Sequence, residues 1–200
     1  MNNTASALAV TRIDEETFLL LGLALYCAQK FEFGLYGIAS HMSHLPEAKK
    51  DKRFANLTPD DFLSADPEKK ALRKATLGQI CTLFGERLLL SGEELEQLVT
   101  DRNIVVHDFW REVHPMRGVV GIQNPNKFLR GFITNAERLN AAIKGLLSHM
   151  MEAVAQKEGR SGEVAVTDTD LESRKIFESI VAARLTNHST RPAQNAAQCG

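Results

Sequence analysis

Apolar residues along this chain recur at spacings of three, four and seven, the pattern of helices that bury one face. A first run extends from Asp14 to about Met42 and holds the most apolar stretch of the sequence, residues 18–28. Further on, Phe128, Phe132, Leu139, Ile143, Leu146 and Met150 make a stripe that needs a partner. Asn124-Pro125 gives this second long helix, which runs to about Glu158, a cap and a proline at its first position. Thr58-Pro59-Asp60-Asp61 starts a short helix in the same way, and Asp66-Pro67 one to about Glu86. Ser91-x-x-Glu94 and Thr169-x-x-Glu172 read as capping boxes, the latter opening a last helix to about Leu185. Sustained alternation of period two is missing, and residues 119–122 and 164–166 are too short to build a sheet. The pattern predicts an all-α bundle with a linker at residues 159–162 and a disordered tail over residues 187–200.

Composition narrows the class. At 200 residues the chain suits one domain, or one with an appendage. A hydrophobic share of 44% with 24% charged residues is that of an ordinary globular protein. Lys and Arg number 24 against 25 Asp and Glu, so bulk attraction to nucleic acid or anionic lipid is not its means of binding. Any nucleic-acid chemistry must come from a local site. Cys27, Cys81 and Cys199 are scattered and form no CxxC pair, which predicts reduced thiols in a cytoplasmic protein without a thiolate metal site. The apolar stretch at residues 18–28 falls short of the roughly 20 residues of a membrane span. Acidic residues precede it, unlike the basic leader of a signal peptide, so it reads as a buried helix of a soluble protein.

One segment carries candidate chemistry. Residues 91–113 read SGEELEQLVTDRNIVVHDFWREV. On an ideal helix Leu95, Leu98, Val105, Phe109 and Val113 share a face, with Arg102 in its middle. A cation there needs a carboxylate, and Glu32 in the first helix is a candidate; a plain structural ion pair is the simplest account. On the other side Asn103 and His107 stand one turn apart, and Trp110 and His114 continue their stripe.

Arg102, the polar Asn103 and, after four intervening residues, His107 resemble the signature of the HEPN superfamily (higher eukaryotes and prokaryotes nucleotide-binding). The context RNIVVHDFW is similar to that family, and ALYCAQKFEF and LGQICTLF look like its supporting helices. The resemblance covers roughly residues 15–155. It implies a HEPN-like domain over residues 10–158, followed by a linker and additional C-terminal helix at 159–186. It also implies a metal-independent endoribonuclease of the toxin or phage-defence kind, needing no cofactor. Two copies would face a shared cleft, with RNA as substrate and an antitoxin protein as a possible inhibitor. Arg102, Asn103 and His107 are the implied catalytic residues, and Trp110 and His114 the implied substrate contacts.

The residue types suit that chemistry. A histidine can move a proton near neutral pH, and an arginine fork can stabilise charge growing on a phosphate. The products implied are a 2′,3′-cyclic phosphate and a 5′-hydroxyl. Spacing raises an obstacle, because five residues set Arg102 and His107 about 140° apart on an ideal helix. A long arginine, a distorted helix or a second subunit must close that gap.

Other residues read more simply. Asp101 and Asp108 are solvated helix charges, and His114 before Pro115 is a helix end. Trp110 suits core or interface as well as base stacking. His41 and His44 are surface histidines, and residues 49–53 (KKDKR) with Lys69, Lys70, Arg73 and Lys74 are a charged face that could guide RNA. Two alternatives stand beside the nuclease: a non-catalytic HEPN-like module binding a nucleotide or protein, and an unrelated helical interaction protein.

Overall fold

The computed structural model describes residues 14–42, 45–50, 52, 55, 93–114 and 120–189. Among these the regular structure is helical throughout, so the fold is all-α. The helices are α1 (Glu15–His41), the single turn α2 (Pro46–Lys49), α3 (Glu93–Asn103), α4 (Phe109–Val113), α5 (Pro125–Lys157) and α6 (Asp168–Ser189). A π turn, Ile104–Asp108, joins α3 to α4 without a break.

Helix α1 begins where the sequence says it should. Asp14 accepts the amide hydrogen of Thr17 at 2.8 Å and its hydroxyl at 2.7 Å, and Met42 closes the far end. At the start of α5, Asn124 accepts from the Lys127 amide at 2.9 Å, with Pro125 in the first turn. The buried Thr17 hydroxyl also reaches Asn126 Oδ1, tying the starts of the two long helices. Glu16 adds an ion pair to Arg130. Further along, a Cβ at Gly34 would lie 3.3 Å from Ile143 Cγ2. The contacts advance together, so α1 and α5 run side by side in the same direction.

The core lies between them. Ala24, Phe31, Leu35 and Ile38 of α1 meet Leu129, Phe132, Leu139 and Ile143 of α5. Leu95, Leu98, Val105, Phe109 and Val113 are all buried against this core, as one face of the motif helix should be. From the α5 stripe Phe132, Leu139 and Ile143 are fully buried, and Phe128, Leu146 and Met150 partly.

The apolar stretch of α1 departs from the sequence expectation. Cys27 and Ala28 are buried, but Phe18, Leu19, Leu23 and Tyr26 are exposed, as is Phe33 further on. Periodicity places apolar side chains on faces; it does not say which apolar face finds a partner. Over Glu15–Ala39 the helix is also long and apolar enough to cross a membrane.

Helix α6 packs on the second half of α5. Arg174 donates to the Ser148 hydroxyl at 2.9 Å and its carbonyl at 3.1 Å, and pairs with Glu152. The linker holds Gly159 at φ 71°, a left-handed conformation that glycine adopts without a Cβ clash. The cap of α6 lies two residues before the expected one. Thr167 and Asp170 reciprocate, the Asp170 amide donating to the Thr167 hydroxyl at 3.2 Å and the Thr167 amide to Asp170 at 2.9 Å. The helix continues to Ser189, past the expected end near Leu185 and into what reads as tail. Ser91 and the helix starts expected at residues 58 and 66 lie outside the described residues. Glu94, the second half of the Ser91 box, pairs with Arg138 of α5.

Candidate functional site

The π turn decides the geometry of the motif. In an α-helix, hydrogen bonding joins residues four apart; in a π turn it joins residues five apart, which brings them onto the same side. Arg102 precedes the turn and His107 lies within it, five residues on. Their side chains meet, with Arg102 Nη1 3.3 Å from His107 Nε2. The same Nη1 donates to Asn103 Oδ1 at 3.0 Å. The turn thus closes, within one chain, the angular gap that an ideal helix would leave.

From the opposite side, Glu32 of α1 forms an ion pair with Arg102 Nη2. Their side chains keep only 23% and 19% of their exposure, so this is a largely desolvated contact rather than a surface pair. Among the described residues Arg102 Nε is buried without a hydrogen-bond partner. The guanidinium therefore sits between a half-buried carboxylate and two exposed polar side chains, Asn103 and His107. Tyr36, one turn after Glu32, faces the same pair. Burial pushes its phenol above the usual range, with the Glu32 charge acting the same way and Arg102 against it. A tyrosine four residues from Glu32 was the signal in the sequence that could have placed it here.

Asn103 does not take the place expected from its spacing. Four residues before His107, it binds the Arg102 guanidinium, and the ring takes its partner five residues back. Trp110 and His114 form a second cluster further along. Their rings stack at 5.6 Å and 13°, and Phe18 of α1 tilts against Trp110 at 6.4 Å. Trp110 remains 52% exposed, so its indole is open to a ligand or another protein surface.

The flanking acids divide. Asp108 pairs with Arg111 on the surface at 3.2 Å. Asp101 accepts from Gln97 at 2.8 Å, yet burial holds its carboxyl above the ordinary value. Cys27 is a free, buried thiol, pushed up first by burial and then by the charge of Glu137, so it is poorly nucleophilic. Among the described residues no three His, Cys, Asp or Glu side chains converge as metal ligands would. Lys49, Lys50 and Lys52 of the first basic stretch are exposed; His44, the side chain of His41 and the cluster at residues 69–74 lie outside the described residues.

No family model, curated protein or solved structure matches this chain. The likeness to HEPN proteins rests on the residues of the motif helix, with ALYCAQKFEF of α1 as a supporting segment; LGQICTLF lies outside the described residues.

Proposed function

We propose that the chain is a metal-independent endoribonuclease of the HEPN toxin or defence kind, working as a homodimer in the cytoplasm. The observation that supports this best is the meeting of Arg102, Asn103 and His107 on one widened turn, where His107 and Asn103 are open to solvent. A solvent-facing imidazole beside a fixed guanidinium is the pairing that phosphodiester transfer needs.

The resting contact suggests how substrate engages. An RNA phosphate arriving at Arg102 takes over the Nη1 hydrogens now shared by Asn103 and His107. That frees the His107 Nε2 lone pair to accept the 2′-hydroxyl proton. The 2′-oxygen then attacks phosphorus and the bond to the 5′-oxygen breaks. The proton taken up by His107 is returned to that leaving oxygen through water, so the products are a 2′,3′-cyclic phosphate and a 5′-hydroxyl. The half-exposed Trp110, beside His114 and Phe18, supports a base contact at this site.

Spacing does not require a dimer, because the π turn already unites the pair. The dimer is supported instead by the exposed row Leu19, Leu23, Tyr26 and Phe33, which shares one face of α1. An inhibitory protein, as in toxin–antitoxin pairs, would act by covering the same exposed side.

The non-nuclease readings, a helical interaction protein unrelated to HEPN or a non-catalytic module binding a nucleotide or a protein, draw support from Glu32. An arginine neutralised inside its own chain is what a structural ion pair looks like. Incubating labelled mixed-sequence RNA with the purified dimer in EDTA, beside the His107→Ala protein, separates these from the nuclease. Cleavage by the parent alone, leaving cyclic phosphate ends, is expected. No cleavage from folded, partner-free protein would favour the non-nuclease readings.

A further inference from the structure

Arginine has only donors, so a hydrogen bond between Arg102 Nη1 and His107 Nε2 requires a lone pair on Nε2. The neutral ring must then carry its proton on Nδ1. This is the less common form for an unrestrained histidine, and which nitrogen holds the proton is set by the bonds each makes. Among the described residues it is the Arg102 guanidinium that selects it. The guanidinium in turn is held by Glu32, which reaches Nη2 from α1 with most of its side chain removed from solvent. The planar fork couples the two sites, since Nη2, held by Glu32, and Nη1, held also by Asn103, belong to one rigid group.

We infer that Glu32 is a positioning residue: acting through Arg102, it fixes His107 as the tautomer with its lone pair on Nε2. For its catalytic meaning this rests on the nuclease reading, because a lone pair already on Nε2 is the form a proton acceptor needs. The carboxylate and the imidazole lie on opposite edges of one cation. Glu32 thus acts on the ring as a buried acid acts on a histidine it touches directly, with one residue interposed.

The test reads the ring itself as well as the reaction. Protein labelled with ¹⁵N-histidine is examined at about pH 8.5, two units above an ordinary histidine, where imidazole is neutral. Nitrogen shifts assign the tautomer of His107, with His107→Ala identifying its signals. The parent is expected in the Nδ1–H form, Glu32→Gln in the Nε2–H form, and Glu32→Asp, which keeps the charge, close to the parent. With RNA at saturation, Glu32→Gln should cut turnover by about tenfold or more with a smaller change in KM. A parent ring already in the Nε2–H form overturns the inference without any variant. So does a Glu32→Gln protein that keeps the Nδ1–H form and cleaves as the parent does. If the tautomer shifts as expected but the parent cuts no RNA, the relay stands and the nuclease reading falls.

Discussion

Arg102 and His107 are five residues apart in sequence and 3.3 Å apart at their side-chain nitrogens, joined across a π turn. One guanidinium serves three partners there: Glu32 through Nη2, and Asn103 and His107 through Nη1. A lysine offers a single ammonium on a flexible stem and cannot span the same three positions. Arg102→Lys, charge retained, is therefore expected to lower RNA cleavage by about tenfold or more while far-ultraviolet circular dichroism stays that of the parent. Near-parental cleavage by this variant would show that charge alone suffices.

The exposed row on α1 leads to a second prediction. Leu23→Glu or Tyr26→Glu places a charge on a surface that is already solvated in the monomer, so the fold should survive. Sedimentation is expected to show loss of self-association, with a thermal midpoint close to the value for the parent monomer. Dimers persisting in both variants would place the interface elsewhere.

Two glycines in α5 should respond to alanine with opposite signs. At Gly145 a Cβ would collide with the Ser173 carbonyl oxygen and come within 2.6 Å of its carbon and 2.9 Å of Arg174 N, all backbone atoms of α6. Gly145→Ala is expected to destabilise by about 1–3 kcal/mol. At the exposed Gly131 nothing lies within 4 Å, and Gly131→Ala should stabilise by about 0.5–1 kcal/mol through the restricted unfolded chain. Urea denaturation of the two variants beside the parent reads both signs.

The caps predict the acid limb of stability. Asp14 is held below its ordinary value chiefly by the Thr17 hydroxyl, and Asp170 chiefly by that of Thr167. A carboxyl depressed in the folded state stabilises fully above its unfolded value, near pH 4, and loses that contribution as pH falls through the folded value. The gap in thermal midpoint between the parent and Asp14→Asn or Asp170→Asn should be constant from pH 6 to 8 and narrow below about pH 4. A gap that does not change down to pH 2 would mean the carboxylate charge is irrelevant to capping.

Much of the architecture was legible because its signals are local. Asp14 and Asn124-Pro125 start their helices where capping chemistry requires, and the five apolar residues from Leu95 to Val113 are buried together. The pairing of Arg102 with Glu32 followed from the cost of an unpaired cation on an apolar face. What escaped depended on departures from regular geometry or on choices between equivalent signals. A wheel drawn at constant pitch cannot show a π turn, so it places Asn103 beside His107, whereas the side chain binds Arg102. Thr167-x-x-Asp170 and Thr169-x-x-Glu172 overlap in the sequence, and the helix uses the first. Likewise α1 is apolar on more than one side, and composition alone could not tell the buried side from the open one.

The widened turn between α3 and α4 also bears on how such a motif can vary by descent. A π turn holds one residue more than the α turn it replaces, so a single inserted residue can be absorbed without displacing the buried residues on either side. Arginine and histidine four apart on an unbroken helix would face each other much as this pair does at five. Insertion or loss of one codon can thus be silent for the encounter between the two side chains. The distance between them in sequence is then a measure of local helix pitch as much as of position in space.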